Sequence, residues 1–326
     1  MTLSTNFGGT SRNGNPPLEV RLLRNGITES RHRVHATVCD GRGRVLMRAG
    51  DPQQLSFVRS ALKPFQATVF VASGAADQCQ CGERGLAIAC ASHAGTAMHA
   101  REAFKVLWGA EIEAEQLQCP FPEHGSSPLE HNCSGKHAAF LATSRRLGWS
   151  TESYLQQDHP LQKEVLKRVA ELLGLPAAEL VSARDDCGAP TLQLQLAQMA
   201  LLYAHLGGGT QPDLERLSRA MLAHPELVAG SGRFDTEVMR SSHGQVLSKG
   251  GAEGIQCLSR VGEGLGLAIK VEDGASRAKH AVALHLMKQL EWLTPLTLEE
   301  LSQAFLQPNE GVRLEVNGEL RFDNGR

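Results

Sequence analysis

The sequence predicts an α+β fold in which one antiparallel sheet is assembled from both chain ends and a helical region is inserted between them. Stretches with strand-like alternation lie near the two ends, and apolar patterns of helical period fill the middle. No repeat, low-complexity tract or long linker divides the 326 residues. We therefore expect a flexible lead over residues 1–17 and a single domain over residues 18–326. The sheet is expected at about 18–50 and 240–326, and the helical region at about 58–235.

The first elements are strands. Alternating residues predict strands over 18–23 and 33–39, and the turn sequence Asp40-Gly41-Arg42-Gly43 predicts a hairpin leading into a third strand over 45–48. A helix follows from Arg59 to about residue 73, with Pro64 in its first turn, where the missing N–H is tolerated.

The middle of the chain is predicted to be largely helical, and strands return after it. Helical periodicity covers residues 85–91, 100–108, 135–147, 161–173, 192–206, 214–222 and 277–293. Strands are expected over 245–248 and 264–271. A last hairpin is expected from residues 312–316 and 319–322, closed by Asn317-Gly318.

The composition is that of an ordinary globular protein, with 41% hydrophobic and 21% charged residues. A net charge of −2 gives no electrostatic reason to expect nucleic acid or an anionic membrane as partner. The N-terminal residues lack the basic start and apolar run of a secretory signal, and no stretch approaches the ~20 apolar residues of a membrane span. We expect a cytoplasmic protein whose eight cysteines are thiols.

Ser60 and Lys63 form a Ser-x-x-Lys motif in Arg59-Ser60-Ala61-Leu62-Lys63. Residues three apart on one helical turn share a face, so Lys63 is expected to reach the Ser60 hydroxyl. A serine becomes a good nucleophile only when a base takes its proton, and a desolvated lysine can be that base. Taken alone, the motif is weak, because four-residue patterns with two fixed positions occur by chance in many helices, and the alternative is an ordinary polar start of a helix.

Two further residues extend the motif. Ser92 opens a His-Ala-Gly loop after an apolar helix, and Lys249 lies in Ser248-Lys249-Gly250-Gly251 after a predicted strand. β-Lactamases and penicillin-binding proteins have the same order of Ser-x-x-Lys, a loop serine and a strand-borne lysine. The sequence departs from that pattern, since it has no Ser-Asp-Asn and has Gly250 in place of threonine or serine. Ser92 could instead cap a turn, and Lys249 could be a solvated loop lysine.

Cys133 and Cys187 each lie in a glycine-containing loop, about fifty residues apart, and could ligate zinc from separate segments. Lys136 follows Cys133 by three residues. The paired Cys-x-x-Cys hooks of a structural zinc site are missing, and Cys79-x-Cys81 has the wrong spacing. The alternative is a pair of thiols buried under loops.

Five separated stretches together resemble the class 3, rhizobial-type L-asparaginases, which form the asparaginase II family. They are residues 59–67, 89–95, 131–138, 184–190 and 248–254, and the resemblance extends roughly from Arg21 to the last long helix. It implies a fold similar to serine β-lactamases and glutaminases, hydrolysis of L-asparagine to aspartate and ammonia, and a homodimer.

The resemblance also implies roles for particular residues. It implies two Ser–Lys tandems, a zinc ion close to the nucleophile, and substrate contacts. The tandems are Ser60 with Lys63 and Ser92 with Lys249, the zinc ligands are Cys133, Lys136 and Cys187, and the substrate-binding residues are Arg59, His137 and Asp185. Relatives carry a cysteine near the Ser-Gly-Arg-Phe loop where this chain has Asp235, so that cysteine cannot be required for catalysis.

The implied mechanism is an acyl-enzyme pathway. Lys63 and the Ser92–Lys249 pair facilitate deprotonation of Ser60, which attacks the side-chain amide carbon, and water then hydrolyses the ester. Arg59 is expected to bind the carboxylate of the substrate and Asp185 its ammonium group. An amine binds metal only when deprotonated, so zinc ligation by Lys136 requires a lowered pKa or proton release.

Three alternatives stay open. A glutaminase differs by one methylene in its substrate, which a pocket discriminates by only ~1–3 kcal/mol. A penicillin-interacting enzyme is disfavoured by the expected cytoplasmic location. A non-catalytic, zinc-stabilised binding protein would unfold without zinc and would be unaffected by Ser60→Ala.

Overall fold

The computed structural model describes residues 15–323. In that part of the chain most strands lie toward the two ends and most helices lie between them. The strands are β1 (Leu18–Arg24), β2 (Ile27–Asp40), β3 (Val45–Ala49), β4 (Leu55–Phe57), β5 (Val181–Arg184), β6 (Pro190–Gln195), β7 (Val246–Gly250), β8 (Ile255–Arg260), β9 (Leu265–Val271), β10 (Val312–Asn317) and β11 (Arg321–Phe322).

Most helices lie between β4 and β7, and two follow β9. They are α1 (Lys63–Gln66), α2 (Thr68–Ala72), α3 (Ala75–Gln78), α4 (Gly82–Ala89), α5 (Ala97–Gly109), α6 (Ser134–Arg146), α7 (Pro160–Leu173), α8 (Leu196–Gly207), α9 (Pro212–Ala223), α10 (Pro225–Val228), α11 (Phe234–Ser241), α12 (Ser276–Gln289) and α13 (Pro295–Leu306). Short 3-10 turns occur at Arg59–Leu62, Ala114–Gln116, Pro128–Glu130 and Ala177–Glu179.

The large sheet confirms the predicted α+β fold, because its strands come from both ends of the chain. Its order is β10-β1-β2-β9-β8-β7, with β3 pairing β2 and β11 pairing β3, and every pairing is antiparallel. The two ends meet at β2 and β9, where Val34 lies opposite Val271 and Asp40 opposite Leu265. The Lys249 strand, β7, forms one edge of this sheet.

Helices cover the sheet on both faces. One face packs on α12, and the side chains between them form an apolar core that includes Leu258, Ile269 and Val282. The other face packs on α8, which joins the sheet to the core of the helical region. The approach of β9 to α8 is close, because a Cβ on Gly266 would lie 2.0 Å from the Ala200 carbonyl oxygen. A larger residue there would force the helix away from the sheet.

Two sequence predictions are wrong. Residues 192–206 do not form one helix, because the chain is extended in β6 until Gln195 and helical only from Leu196. Pairing with β4 and β5 in a second, three-stranded sheet overrides the helical periodicity of this segment. β10 and β11 do not form a hairpin either. β10 pairs β1 and β11 pairs β3, so each finds its partner about 270 or more residues away in sequence.

The predicted helix over 59–73 is present in pieces. A 3-10 turn contains Ser60, α1 begins at Lys63, and α2 begins at Thr68. Pro64 lies in the first turn of α1, as expected. The sequence did not predict β4, β5, β6, β8 or α13.

The predicted flexible lead lies mostly outside the described residues. Its last residues are in contact with the sheet, because the Gly50 N–H donates to the backbone oxygens of Asn15 and Pro16 at 3.0 and 3.1 Å. The division into a lead and a single domain stays a prediction. All eight cysteines are free thiols. Within residues 15–323, helices long and apolar enough to cross a membrane are absent.

Candidate active site

Ser60 lies where the chain passes from the small sheet into the helical region. The Val58 N–H donates to the Leu192 oxygen at 2.9 Å, and the Arg59 N–H donates to Thr191 Oγ1 at 3.1 Å. Arg59 has a φ of +53°, in the left-handed region that non-glycine residues rarely adopt. The surrounding hydrogen bonds hold this strained conformation, which turns the backbone immediately before a half-buried Ser60.

The end of β7 lies close to this turn. A Cβ on Gly251 would be 2.8 Å from the Val58 carbonyl oxygen, so only glycine allows the two backbones to approach. Lys249 precedes that point by two residues. The fold therefore brings the Lys-Gly-Gly strand next to the segment that carries Ser60.

Lys63 is buried, and its Nζ donates to Ala91 O at 2.6 Å, Ser92 Oγ at 2.9 Å and Asn132 O at 3.3 Å. Within residues 15–323, no hydrogen bond joins Lys63 to the Ser60 hydroxyl, which differs from the direct contact expected from the sequence. An ammonium group has three N–H donors, and these three oxygens use all of them. Lys63 therefore contacts the Ser92 hydroxyl and not that of Ser60.

Ser92 is held between two lysines. Lys249 Nζ donates to Ser92 Oγ at 2.8 Å and to the Gly250 oxygen at 2.9 Å, while Lys63 approaches the same Oγ. The Ser92 N–H donates to Val228 O at 2.8 Å, which fixes its backbone. The structure thus brings together Ser92 and Lys249, as predicted, and adds Lys63 to the pair.

Lys249 is fully buried, and burial lowers its pKa to about 7. The positive charges of Lys63 and Lys279 lower the pKa further, and the Asp235 carboxylate opposes them. A lysine with this pKa can exist as a neutral amine near pH 7, which is the form that accepts a proton.

Arg59 and Asp185 bind each other. Arg59 Nε donates to Asp185 Oδ1 at 2.7 Å, and its Nη2 also contacts the exposed Asp186 carboxylate. The side chains of Arg59 and Asp185 remain 17% and 9% exposed, so both can still contact a ligand. The sequence predicts that Arg59 binds the carboxylate of a substrate and Asp185 its ammonium group. In the structure the two side chains lie beside each other, and Arg59 directly precedes Ser60.

Cys133, Lys136 and Cys187 form a buried cluster. Lys136 Nζ lies 3.1 Å from Cys187 Sγ. A hydrogen bond from the Cys187 thiol and the charges of Lys63 and Lys136 hold the pKa of Cys133 well below its usual range, although burial opposes this. The same thiols raise the pKa of Lys136 against the effect of burial.

The cluster has the donors of a zinc site. Two sulfurs and one amine converge in it, and thiolates are favoured zinc ligands. Residues 15–323 hold no group of three or more His, Cys, Asp and Glu side chains that could bind a metal ion. Lys136, whose Nζ lies beside Cys187 Sγ, is the candidate for a third zinc ligand.

His137 is fully buried. Its Nδ1 lies 2.8 Å from the Tyr154 hydroxyl, and its Nε2 is a buried atom with no hydrogen-bond partner among the described residues. Burial lowers the pKa of this histidine to about 4, so it is neutral. The side chain has no exposed surface in this structure, and the expected contact with substrate stays a prediction.

Asn132 and His93 are site residues that the sequence did not single out. The Asn132 oxygen accepts from both Lys63 Nζ and the His93 N–H, the latter at 3.2 Å. His93 Nε2 lies 3.0 Å from Ser134 Oγ and so connects the Ser92 loop to α6. Both residues are sequence neighbours of predicted site residues, and that adjacency is the signal by which they could have been found.

Several solved structures resemble this chain at low sequence identity. Two structures of a protein called Mglu, one in its native form, align at 12% and 13% identity with TM-scores of 0.49 and 0.48. The alignments cover 80% and 79% of this chain and 67% and 64% of the Mglu chains, which is about two thirds of their length. A β-lactamase from Mycobacterium bovis aligns at 12% identity and a TM-score of 0.36, over 84% of this chain and 95% of that chain.

The family of the chain follows from its sequence. No curated protein matches it significantly. The sequence model described as L-asparaginase II matches residues 20–322, which include all of the site residues above. That match covers most of the chain, and the protein therefore belongs to the L-asparaginase II family.

Proposed function

We propose that this protein hydrolyses the side-chain amide of L-asparagine to L-aspartate and ammonia through a serine acyl-enzyme. Membership of the L-asparaginase II family supports amidohydrolase chemistry. The observation that carries the proposal is Ser92 Oγ, which accepts hydrogen bonds from two buried lysines, Lys63 and Lys249. Burying two ammonium groups is costly, so their convergence on one hydroxyl is better explained by proton transfer than by packing.

Ser60 is the proposed nucleophile. Its proton passes to the network formed by Ser92 and Lys249, whose lowered pKa suits a base near neutral pH. Backbone N–H groups stabilise the oxyanion, and the network returns a proton to the departing ammonia. Water then hydrolyses the ester, with the same lysine as base.

The Arg59–Asp185 pair is the proposed recognition site for the amino acid end of the substrate. An α-amino acid carries a carboxylate and an ammonium group on one carbon, and the pair presents the two opposite charges 2.7 Å apart. The carboxylate of the substrate would bind Arg59 and its ammonium group Asp185, so that the amide points toward Ser60.

The test is ammonia release from L-asparagine and L-glutamine by wild type, Ser60→Ala and Ser302→Ala. Ser302, on α13 at a distance from the site residues, is the matched control. Asparagine turnover is expected to fall at least ~10³-fold in Ser60→Ala and to stay near wild type in the control.

Turnover that survives in Ser60→Ala but is lost in Ser92→Ala would identify Ser92 as the nucleophile. Glutamine turnover above asparagine turnover would contradict the proposed substrate. Release from neither amide by the wild type would overturn the proposed activity.

We further propose that Cys133, Lys136 and Cys187 hold a zinc ion. The ion would supply Lewis-acid stabilisation of an oxygen of the substrate. Since the two thiols raise the pKa of Lys136, this amine must lose a proton when it becomes a ligand.

Zinc binding is therefore expected to release protons near neutral pH. Calorimetry in buffers of different ionisation enthalpy measures this release, and elemental analysis measures the zinc content. Cys187→Ala should lose zinc and proton release, whereas Cys39→Ala, a buried thiol on β2, should keep both. Equimolar zinc retained in Cys187→Ala would contradict this ligand set.

The remaining expectations stay predictions. The proposed partner is a small molecule, and the expected homodimer is checked by the mass of the protein in light scattering. The expected cytoplasmic location is checked by cell fractionation.

A further inference from the structure

Asp235 occupies the second position of α11 and accepts three hydrogen bonds from the strands beside it. Its Oδ1 accepts from Ser248 Oγ at 2.7 Å and Gln256 Nε2 at 2.8 Å, and its Oδ2 accepts from the Gly250 N–H at 2.8 Å. Ser248 and Gly250 are the two neighbours of Lys249. The carboxylate therefore holds the strand on both sides of the lysine that binds Ser92.

The space above Gly250 is already filled. A Cβ there would lie 3.0 Å from Gln256 Oε1, 3.2 Å from Lys279 Nζ and 3.4 Å from Asp235 Oδ2. A threonine or serine after the lysine would be tight against these groups, whose side-chain ends would have to shift by a few tenths of an ångström. The carboxylate and its partners thus occupy the position that such a side chain would take.

Among the charged groups around Lys249, Asp235 has the largest effect on the pKa of that lysine. The charge of Lys249, the Gly250 N–H and the Ser248 and Gln256 side chains lower the pKa of Asp235, although burial raises it, so it is ionised at neutral pH. The Asp235 charge acts on Lys249 through space and raises the pKa of that lysine.

Six charged or titratable groups face Lys249 from the elements around it. Asp235 on α11 and Cys133, just before α6, raise its pKa, whereas Lys63 on α1 and Lys279 on α12 lower it. Cys257 on β8 lies opposite Lys249, and Cys90 follows α4; burial raises the pKa of both thiols, which are therefore neutral near pH 7. Lys279 is held in place by its own bond to Gly251 O at 2.7 Å.

We propose that Asp235 is a positioning residue for Lys249: its carboxylate fixes the two residues that flank the lysine, and its charge sets how readily the lysine gives up its proton to solvent and takes one from Ser92. The proposal rests on the proposed function, because it assigns Lys249 the role of base. Asp235 acts through Lys249 and not on the substrate.

Asp235→Asn is the first test, because it keeps the shape and removes the charge. Without the charge, protonated Lys249 is less stable, so its pKa falls. The acidic limb of kcat/KM for asparagine should move to lower pH by roughly one unit. Lys279→Met removes a repelling cation and should move the limb in the opposite direction.

Two further variants separate charge from packing. Ser248→Ala removes one hydrogen bond but leaves the charge, and it should leave the limb where it is in the wild type. Asp235→Ser removes the charge with a smaller side chain and carries the same expectation if Asp235→Asn does not fold. An unmoved limb in both Asp235 variants, or an equal shift in Ser248→Ala, would overturn the proposal.

A second readout does not depend on activity. NMR titration of protein labelled at the lysine ε-carbons, with Lys249→Gln to assign the signal, follows Lys249 directly. A wild type that releases no ammonia would refute the proposed function, while the titration would still decide the role of Asp235. The proposal requires a lower Lys249 pKa in Asp235→Asn and a higher one in Lys279→Met.

Discussion

The arrangement around Arg59 shows how single residues prepare the site. Arg59 is strained at a φ of +53°, and its guanidinium group is fixed by two carboxylates of one loop. These contacts hold the residue that precedes Ser60 in the chain. In the proposed mechanism, recognition of substrate charge and presentation of the nucleophile therefore depend on the same side chain.

Asp185→Asn tests that dependence. The variant keeps a side-chain oxygen for Arg59 but removes the charge proposed to bind the ammonium group of the substrate. The KM for asparagine should rise at least ~10-fold with a smaller change in kcat, since a charge-assisted hydrogen bond is lost. Steady-state kinetics at several pH values measure both constants.

Asp186→Asn is the matched comparison. Asp186 contacts the same guanidinium group, but its side chain is 90% exposed. Its replacement should raise KM by less than Asp185→Asn does, because exposed ion pairs contribute little. A larger effect of Asp186→Asn would show that the exposed carboxylate is the recognition group.

At the scale of elements, local sequence patterns predicted the helices and turns whose conformation depends on residues nearby in the chain. The hairpin between β2 and β3, and helices such as α7 and α9, follow from turn residues and amphipathic spacing. β11 does not, because it pairs with β3, far away in sequence. β6 pairs with the nearby β5, but also with β4, which lies far earlier in the chain. Periodicity over residues 192–206 could not reveal that the first part of the segment pairs with β4.

The site shows the same division. Ser60, Lys63, Ser92 and Lys249 could be identified because each stands in a short motif. Their hydrogen bonds could not, since the donors of Lys63 are used by carbonyl oxygens of two other loops. Nor could the sequence show that Asp235 bonds to both neighbours of Lys249.

At the scale of the whole molecule, the site depends on the closure of the chain. Ser60, Ser92 and Cys133 belong to the helical region, whereas Lys249 belongs to the sheet. The sheet in turn is complete only when β10 pairs β1 and β9 pairs β2. We expect the two regions to unfold together, because neither contains the whole catalytic network.

Leu314→Ala tests this cooperativity. Leu314 is a buried residue of β10 that lies opposite Leu22, far from the site in the sheet order. Its truncation should lower the free energy of unfolding by about 2–4 kcal/mol through lost burial and a cavity. In urea, asparaginase activity and tryptophan fluorescence should be lost at the same, lower concentration, because Trp149 reports the helical region and Trp292 the sheet.

The control is Leu296→Ala on α13, where the side chain is 68% exposed and truncation should change the free energy of unfolding by less than about 0.5 kcal/mol. Native kcat should be unchanged in both variants, since neither residue contacts the site. Activity lost at a different urea concentration from fluorescence would show that the sheet and the helical region fold as separate units. The sheet would then only attach Lys249 to a helical region that is already folded. Unfolding of the sheet would abolish activity, but it would not change the free energy of unfolding of the helical region.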